Sequence, residues 1–296
     1  MSSALSALFS ETMLAQTIRA SLPYTYAALG GILSERSGIA HVGLEGILLG
    51  GAFAAVATHV ATGSPWLGLL CGGIIGASMG FVHGYVSAVR GVHAILSGLV
   101  LNLLALGVTR FLLRAWYASS ANSPAVPAFR YGERASALVR TIAEPPLLLV
   151  LALGAFAAWL IAKTRFGLRI RASGENPTAA KGVGVPVART QVMAVTLGSA
   201  IAGLGGVALA FDQHQFQAQM SGGRGFIALA AIILARHRVV PAVIACTVFA
   251  VLESMQVVLQ GTVHLPSEVF TALPYVATLV ALGLAGTRFQ RGAAAS

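Results

Sequence analysis

From Gly46 to Val89 the chain runs for 44 residues without an Asp, Glu, Lys or Arg. A helix crosses the hydrocarbon core of a bilayer with about 20 apolar residues. This one stretch therefore holds two crossings, with a break expected at Thr62-Gly-Ser-Pro65. Lipid offers backbone N–H and C=O groups no partners, so crossings are helices or closed barrels. Barrel strands read as segments of about 10 residues with alternating polarity, and no such alternation is present here.

Further uncharged runs mark single spans at Gly91–Thr109, Pro145–Ala162, Thr190–Phe211 and Val269–Thr287. Val239–Ser267 holds another, interrupted by Glu253, and Met13–Leu33 tolerates Arg19 near its start. Gly225–Ala235 has only 11 uncharged residues and reads as a short, broken or re-entrant segment. The expectation is an all-α polytopic membrane protein of about eight or nine transmembrane helices. Its 34 glycines, spread through apolar segments, suit helices packed at close range. No domain boundary appears, so residues 1–296 read as one membrane domain. The start lacks a basic region, so no cleaved signal peptide is expected.

Composition excludes other classes. Charged residues make up 9% of the chain, against about 25% in soluble domains, too few to coat a water-facing surface. A soluble enzyme and a disordered protein are both excluded. The net charge of +10 does not mark a nucleic-acid binder, because Lys and Arg sit between apolar runs rather than on one face. Cys71 and Cys246 lie in apolar stretches with no metal-ligand spacing; nor do His59, His83 and His93 show one.

Basic residues in short loops mark the cytoplasmic side. The loop 163–189 holds Lys163, Arg165, Arg169, Arg171, Lys181 and Arg189 against Glu175 alone. Alternation places Arg236, Arg238 and the C-terminus with it, and the proline-rich loop 114–145 and the N-terminus outside. Leu22-Pro-Tyr24 and Leu273-Pro-Tyr275 each read as opening a span, a faint sign of an inverted repeat.

Within the internal loop, Asn176 is a good N-cap, Pro177 suits the first helical position, and Gly182 is expected to end the helix in a left-handed conformation. The segment reads either as a surface loop with a helical turn or as a docking helix.

Three ordered motifs carry a family resemblance. They are Ser34-Glu-Arg-Ser-Gly-Ile-Ala-His-Val-Gly-Leu-Glu-Gly46, Gly174-Glu-Asn-Pro-Thr-Ala-Ala180 and Ser221-Gly-Gly-Arg-Gly-Phe-Ile-Ala-Leu-Ala-Ala231. Together the chain resembles the permease subunits of bacterial ABC importers of the simple-sugar and ribose group, most of all the nucleoside branch. It departs at His41, where that branch usually has Asn, and at Leu234-Ala-Arg-His237, where Phe-Gly-Arg-Trp is commoner. The resemblance implies a multi-pass protein of the bacterial cytoplasmic membrane. It further implies a second permease subunit, two cytoplasmic ATPase subunits, an external substrate-binding lipoprotein and a small-molecule substrate. Gly174–Gly184 would be the coupling loop, with Gly174, Glu175, Asn176, Pro177, Ala179, Ala180, Lys181 and Gly182 meeting the ATPase. No G-x-x-x-x-G-K-[ST] loop is present, so ATP and Mg are expected on a partner subunit, and neither a cofactor nor catalysis on this chain.

Ionisable groups inside spans are costly and mark function or pairing. Glu45, flanked by Gly43 and Gly46, either sits at the positive end of a helix or shapes a solute pathway. Glu253, Gln256 and Gln260 share one helical face, for interhelical bonding or for translocation. Asn102 and Ser97 could bond a ribose hydroxyl or a neighbouring helix. Phe226, Phe216 and Tyr85 could stack on a base or pack in the core. Glu35 and Arg36 read as a local ion pair, and Gln213–Gln219 as an external turn. The competing reading is an ion-coupled secondary transporter of a small polar solute, with Glu45 or Glu253 as the coupling acid. An intramembrane enzyme would need converging catalytic groups, and no HExxH motif is present.

Overall fold

The computed structural model describes residues 10–127, 129, 136–260 and 276. In chain order the helices are α1 (Glu11–Arg36), α2 (Leu44–Thr62), α3 (Pro65–Ala88), α4 (Ala94–Tyr117), α5 (Ala137–Ala143) and α6 (Pro145–Lys163). They continue with α7 (Arg165–Glu175), α8 (Pro177–Gly182), α9 (Val187–Asp212), α10 (Arg224–Leu234) and α11 (Val239–Gln260). The elements of the described residues are all helices, and the one strand-like contact is an isolated antiparallel bridge between Asn122 and Gln217.

Six helices (α2, α3, α4, α6, α9 and α11) are long and apolar enough to cross a membrane. α1 is as long as α9, at 26 residues, but carries charges at both ends. The expected span Val269–Thr287, and with it Leu273-Pro-Tyr275, lies outside the described residues. The other copy of that tripeptide does not open a span: Pro23 sits mid-way along α1. The long uncharged stretch divides as expected. Gly63 closes α2, and Ser64 caps α3, its hydroxyl accepting from the Leu67 N–H at 3.4 Å. α4 runs past Thr109 to Tyr117 and carries Arg110 and Arg114 with it, so the loop expected from 114 starts later.

α9 is the hub and packs on α1, α2 and α3. Against α3 the contact is made of glycine. Gly68, Gly72, Gly76, Gly80 and Gly84 recur every four residues, all buried, and so form one face. A Cβ on Gly76 would lie 2.5 Å from the Ser199 carbonyl oxygen, and one on Gly80 2.1 Å from the Ser199 hydroxyl. The two backbones therefore touch, as small-residue packing in membranes allows. Gly30 of α1 and Gly198 of α9 meet the same way, each 2.1–2.2 Å from the other's carbonyl oxygen if given a Cβ.

The helix ends segregate into two groups. At one end Arg19 bonds Glu144 at 3.0 Å and approaches Asp212 at 3.8 Å, and Asn122–Val126 pairs with His214–Gln217. At the other end Arg36 donates to the His237 carbonyl at 3.0 Å, Gln191 donates to the Ser37 carbonyl at 2.9 Å, and Gly38 packs on Gly174. The internal-loop basic residues all belong to the second end. Glu35 and Arg36 do not pair with each other, contrary to expectation. Glu35 accepts from the His41 N–H at 2.8 Å and faces His237 at 3.7 Å, because the chain turns sharply at Ser37 and brings the next loop over it.

Candidate functional site

The chain leaves helical structure at residues 37–43, entered from the basic end, and at 213–223, entered from the opposite end. α10, with 11 residues, is about 16 Å long, roughly half a crossing. A helix this short does not carry its end groups from one face of a bilayer to the other, so its first N–H groups call for partners within the protein. Glu45 supplies the partners. Its Oε1 accepts from the Gly223 N–H at 2.7 Å and its Oε2 from the Gly225 N–H at 2.8 Å. A carboxylate at a helix N-terminus gains from both the hydrogen bonds and the dipole. Gly223 holds φ +82° as the N-cap, a conformation that costs glycine nothing. The approach is so close that a Cβ on Gly225 would lie 2.3 Å from the Glu45 nitrogen.

Gly46 and Gly43 belong to the same junction. Asn102 of α4 accepts from the Gly46 N–H at 2.8 Å and donates to the Val42 carbonyl at 3.0 Å. Its amide thus satisfies both faces of the broken backbone at the start of α2. A Cβ on Gly46 would lie 2.9 Å from the Asn102 Cα, and Gly43 packs on Leu101 and Gly98. Ser97 bonds His83 at 3.0 Å. His83 in turn holds the Ala40 carbonyl through Nε2 at 3.3 Å, so Nε2 carries its proton and Nδ1 accepts from Ser97. The ring stacks on His41 with centroids 5.0 Å apart, and His41 bonds Ser199 at 2.8 Å. The departure at His41 is thereby seated in a buried polar cluster. No metal-binding group of His, Cys, Asp or Glu exists among the described residues.

Glu253 is paired. Arg224, the first residue of α10, bonds its Oε1, and the Tyr24 hydroxyl donates to its Oε2 at 2.8 Å. The pair joins α10, α11 and α1 at one point. Gln256, one turn along α11, is half-buried, and the Gln260 side chain lies outside the described residues. Phe226 is exposed and Phe216 fully buried, its ring edge-on to Phe53 at 5.1 Å. Phe216 is a core residue, and the turn that carries it is pinned by Ser123, which accepts from the Phe216 N–H at 2.9 Å.

The internal-loop helix forms as expected at its start and not at its end. Asn176 Oδ1 accepts from the Ala179 N–H at 2.9 Å, with Pro177 in the first helical position. Gly182 is the last helical residue, and the left-handed position is Gly184 at φ +85°. Val185 N–H bonds the Ala180 carbonyl and Gly184 N–H the Lys181 carbonyl, the paired closure of a helix whose glycine sits two residues past its end. Glu175, Pro177, Ala179, Lys181 and Val183 are exposed, Val183 at 82%. Ala180 is buried and Gly174 abuts the Arg36 carbonyl, where a Cβ would lie 2.3 Å away. The loop is therefore anchored on one side to the end of α1 and open on the other.

Arg224, Tyr24 and the ladder on α3 went unread in the sequence. A lone Arg and a lone Glu in neighbouring apolar runs were the available signal for the first, and the repeat of glycine every four residues for the last.

Residues 13–282 match the family described as the branched-chain amino acid transport system permease component. A nucleoside ABC transporter permease protein of Lactococcus lactis is 32% identical over 93% of this chain and 92% of its own length. A guanosine ABC transporter permease protein of Bacillus subtilis is 32% identical over 88% of this chain and 87% of its own. A putative glucose ABC transporter permease protein of Haloferax volcanii is 30% identical over 84% of this chain and 78% of its own. With six helices able to cross a bilayer and this match over nearly its whole length, the chain belongs to this family of ABC transporter permeases and is a multi-pass membrane protein.

Proposed function

We propose that the chain is the permease subunit of an ATP-driven importer that passes a nucleoside or a related sugar-bearing solute across the bacterial cytoplasmic membrane. The observation that carries the reading is the capped helix α8, anchored to the end of α1 through Gly174 and exposed along Pro177, Ala179 and Val183. Such a helix is built to be pushed on one side and to transmit on the other. Behind it Arg36 holds the α10–α11 turn through the His237 carbonyl, and α10 ends at the Glu45 and Glu253 contacts. The basic end is the cytoplasmic one by the positive-inside rule. There two ATPase subunits would bind ATP and Mg. A second permease copy or paralogue and an external binding lipoprotein complete the assembly. Eight crossings follow if α10 with residues 213–223 counts as one and 269–287 as another beside the six, and nine if α1 also crosses.

The substrate class rests on the relatives, two named for nucleosides and one for glucose. An ion-coupled mechanism would require Glu45 or Glu253 to release its partners in each cycle, and both are held by two donors. The test is uptake of radiolabelled guanosine, uridine and glucose into vesicles holding the chain with the ATPase, second permease and binding lipoprotein encoded beside it, with ATP supplied on the ATPase side. ATP-dependent accumulation of one of them is the expected result. Accumulation driven by a proton or sodium gradient without the ATPase overturns it.

A further inference from the structure

The bend between α6 and α7 carries charges that the coupling reading leaves unused. α6 turns Leu148, Ala152, Phe156, Trp159 and Lys163 outward, all exposed and three or four residues apart, so they share one face. This stripe is apolar until its last turn, where Trp159 and then Lys163 stand. A tryptophan before a terminal lysine marks the level at which hydrocarbon gives way to headgroups. Thr164 makes the bend, and its hydroxyl accepts from the Gly167 N–H at 3.0 Å. A Cβ on Gly167 would lie 2.1 Å from the Leu160 carbonyl oxygen. α7 therefore starts against the last turn of α6 and buries Gly167, Ile170 and Ser173 toward α1, α6 and α9.

The outward face of α7 holds Arg165, Leu168 and Arg169, all exposed. Lys163, Arg165 and Arg169 have no carboxylate partner among the described residues. Arg165 and Arg169 stand four apart on one face, where like charges repel. The order of charges along the helix is also the unfavourable one. Arg165 is its first residue and its acid, Glu175, its last, whereas the dipole favours the reverse. Neighbours within the chain do not offset this cost; an anion outside it would. Leu168, 60% exposed between the two arginines, says what kind of anion. A helix with a basic face and an exposed leucine seats at the boundary of headgroups and acyl chains. An acidic protein surface would leave Leu168 and the stripe above it in water.

We propose that the α6–α7 bend is a binding surface for anionic phospholipid of the leaflet at the basic end. Lys163, Arg165 and Arg169 hold the headgroup phosphates, and Trp159 and Leu168 lie against the acyl chains. Asn176 ends α7 and caps α8, so lipid held on α7 steadies the support from which α8 faces its partner. The attraction is that of a basic segment for an anionic leaflet, here confined to one bend.

The test needs neither ATP nor a partner subunit, so its failure is separable from failure of the transport reading. Trp66 begins α3 and Trp116 ends α4, both at the opposite end of the molecule. The full-length chain carrying Trp66→Phe and Trp116→Phe thus keeps Trp159 as its one tryptophan. It is placed in phosphatidylcholine nanodiscs containing equal fractions of either brominated phosphatidylcholine or brominated phosphatidylglycerol. Bromine on the acyl chains quenches a tryptophan that they touch. Both lipids should quench Trp159, with phosphatidylglycerol preferred about threefold or more. Adding Lys163→Gln, Arg165→Gln and Arg169→Gln should abolish the preference while quenching by brominated phosphatidylcholine persists, which shows the reporter still in place. Removing three other positive charges at the same end, with Arg90→Gln, Arg236→Gln and Arg238→Gln, should leave the preference intact. A Trp159 that brominated phosphatidylcholine does not quench faces protein, not lipid, and overturns the proposal. So do a preference below about threefold, its survival in the first triple variant, or its equal loss in the second.

Discussion

Glu45 is a single carboxylate that settles two problems at once. It satisfies the start of a helix only half a crossing long, and it fixes that helix to the start of α2. Glu45→Gln keeps the size but removes the charge, and one of the two N–H groups then faces an amide nitrogen rather than an oxygen. Hydrogen bonds to charged groups are worth about 1.5–3 kcal/mol. The variant should lose about that much stability, read as a lower melting temperature in detergent, with ATP-driven uptake reduced. Unchanged melting and uptake would show that the helix end is satisfied by other means. At this scale the sequence was legible in part. The flanking glycines announced irregular backbone around Glu45, but its partners lie 178 and 180 residues away, and no local pattern encodes such a distance. Asn102 was harder still, since an amide in an apolar helix looks the same whether it meets a solute, a helix or a broken loop.

Elements were legible where the physics is local. The break at Thr62–Pro65 and the cap at Asn176 follow from residues that satisfy their own neighbours. The end of α8 did not, because Gly182 and Gly184 both suit a helix end and the hydrogen bonds choose the later one. The same helix separates two neighbouring alanines: Ala179 is exposed and Ala180 buried. Ala179→Arg should leave the chain folded and weaken ATPase association in co-purification. Ala180→Arg should lower the yield of folded chain itself, since a charge buried without a partner costs several kcal/mol. Equal behaviour of the two would mean that α8 is not seated as described. On α3 the comparison is between Gly76 and a glycine of α4. Gly76→Ala places a methyl 2.5 Å from the Ser199 carbonyl, and overpacking of this kind costs about 1–3 kcal/mol. Gly107 has nothing within 4 Å of its added Cβ, so Gly107→Ala should be neutral or stabilise by up to about 1 kcal/mol. Thermal unfolding of both in the same detergent checks the pair.

At the scale of the whole molecule, charge-free length, a property of each segment taken alone, marked the six described helices able to cross a membrane. Which helices touch was not marked in that way, because packing between them depends on glycine faces that hydropathy does not weigh. The two ends of the molecule give the sharpest check of its orientation. Ala179→Cys and Gln217→Cys should label from opposite faces of intact cells, Gln217→Cys alone reacting with an impermeant reagent added outside. Labelling of both from one side would break the arrangement of helix ends. The clasp between Glu45 and the head of α10 also has a consequence in time. A ribosome adds about 5–20 residues per second, so roughly 10–40 seconds pass between the making of Glu45 and of Gly223. Throughout that interval α2 is in the bilayer with a carboxylate that has no amide to hold. The half-length helix cannot serve as a seed for assembly; it closes a structure already built by the helices before it. Nascent chains stalled with residue 215 as the last to leave the translocon should therefore remain open to protease at the 37–43 loop, and chains stalled beyond α10 should resist it.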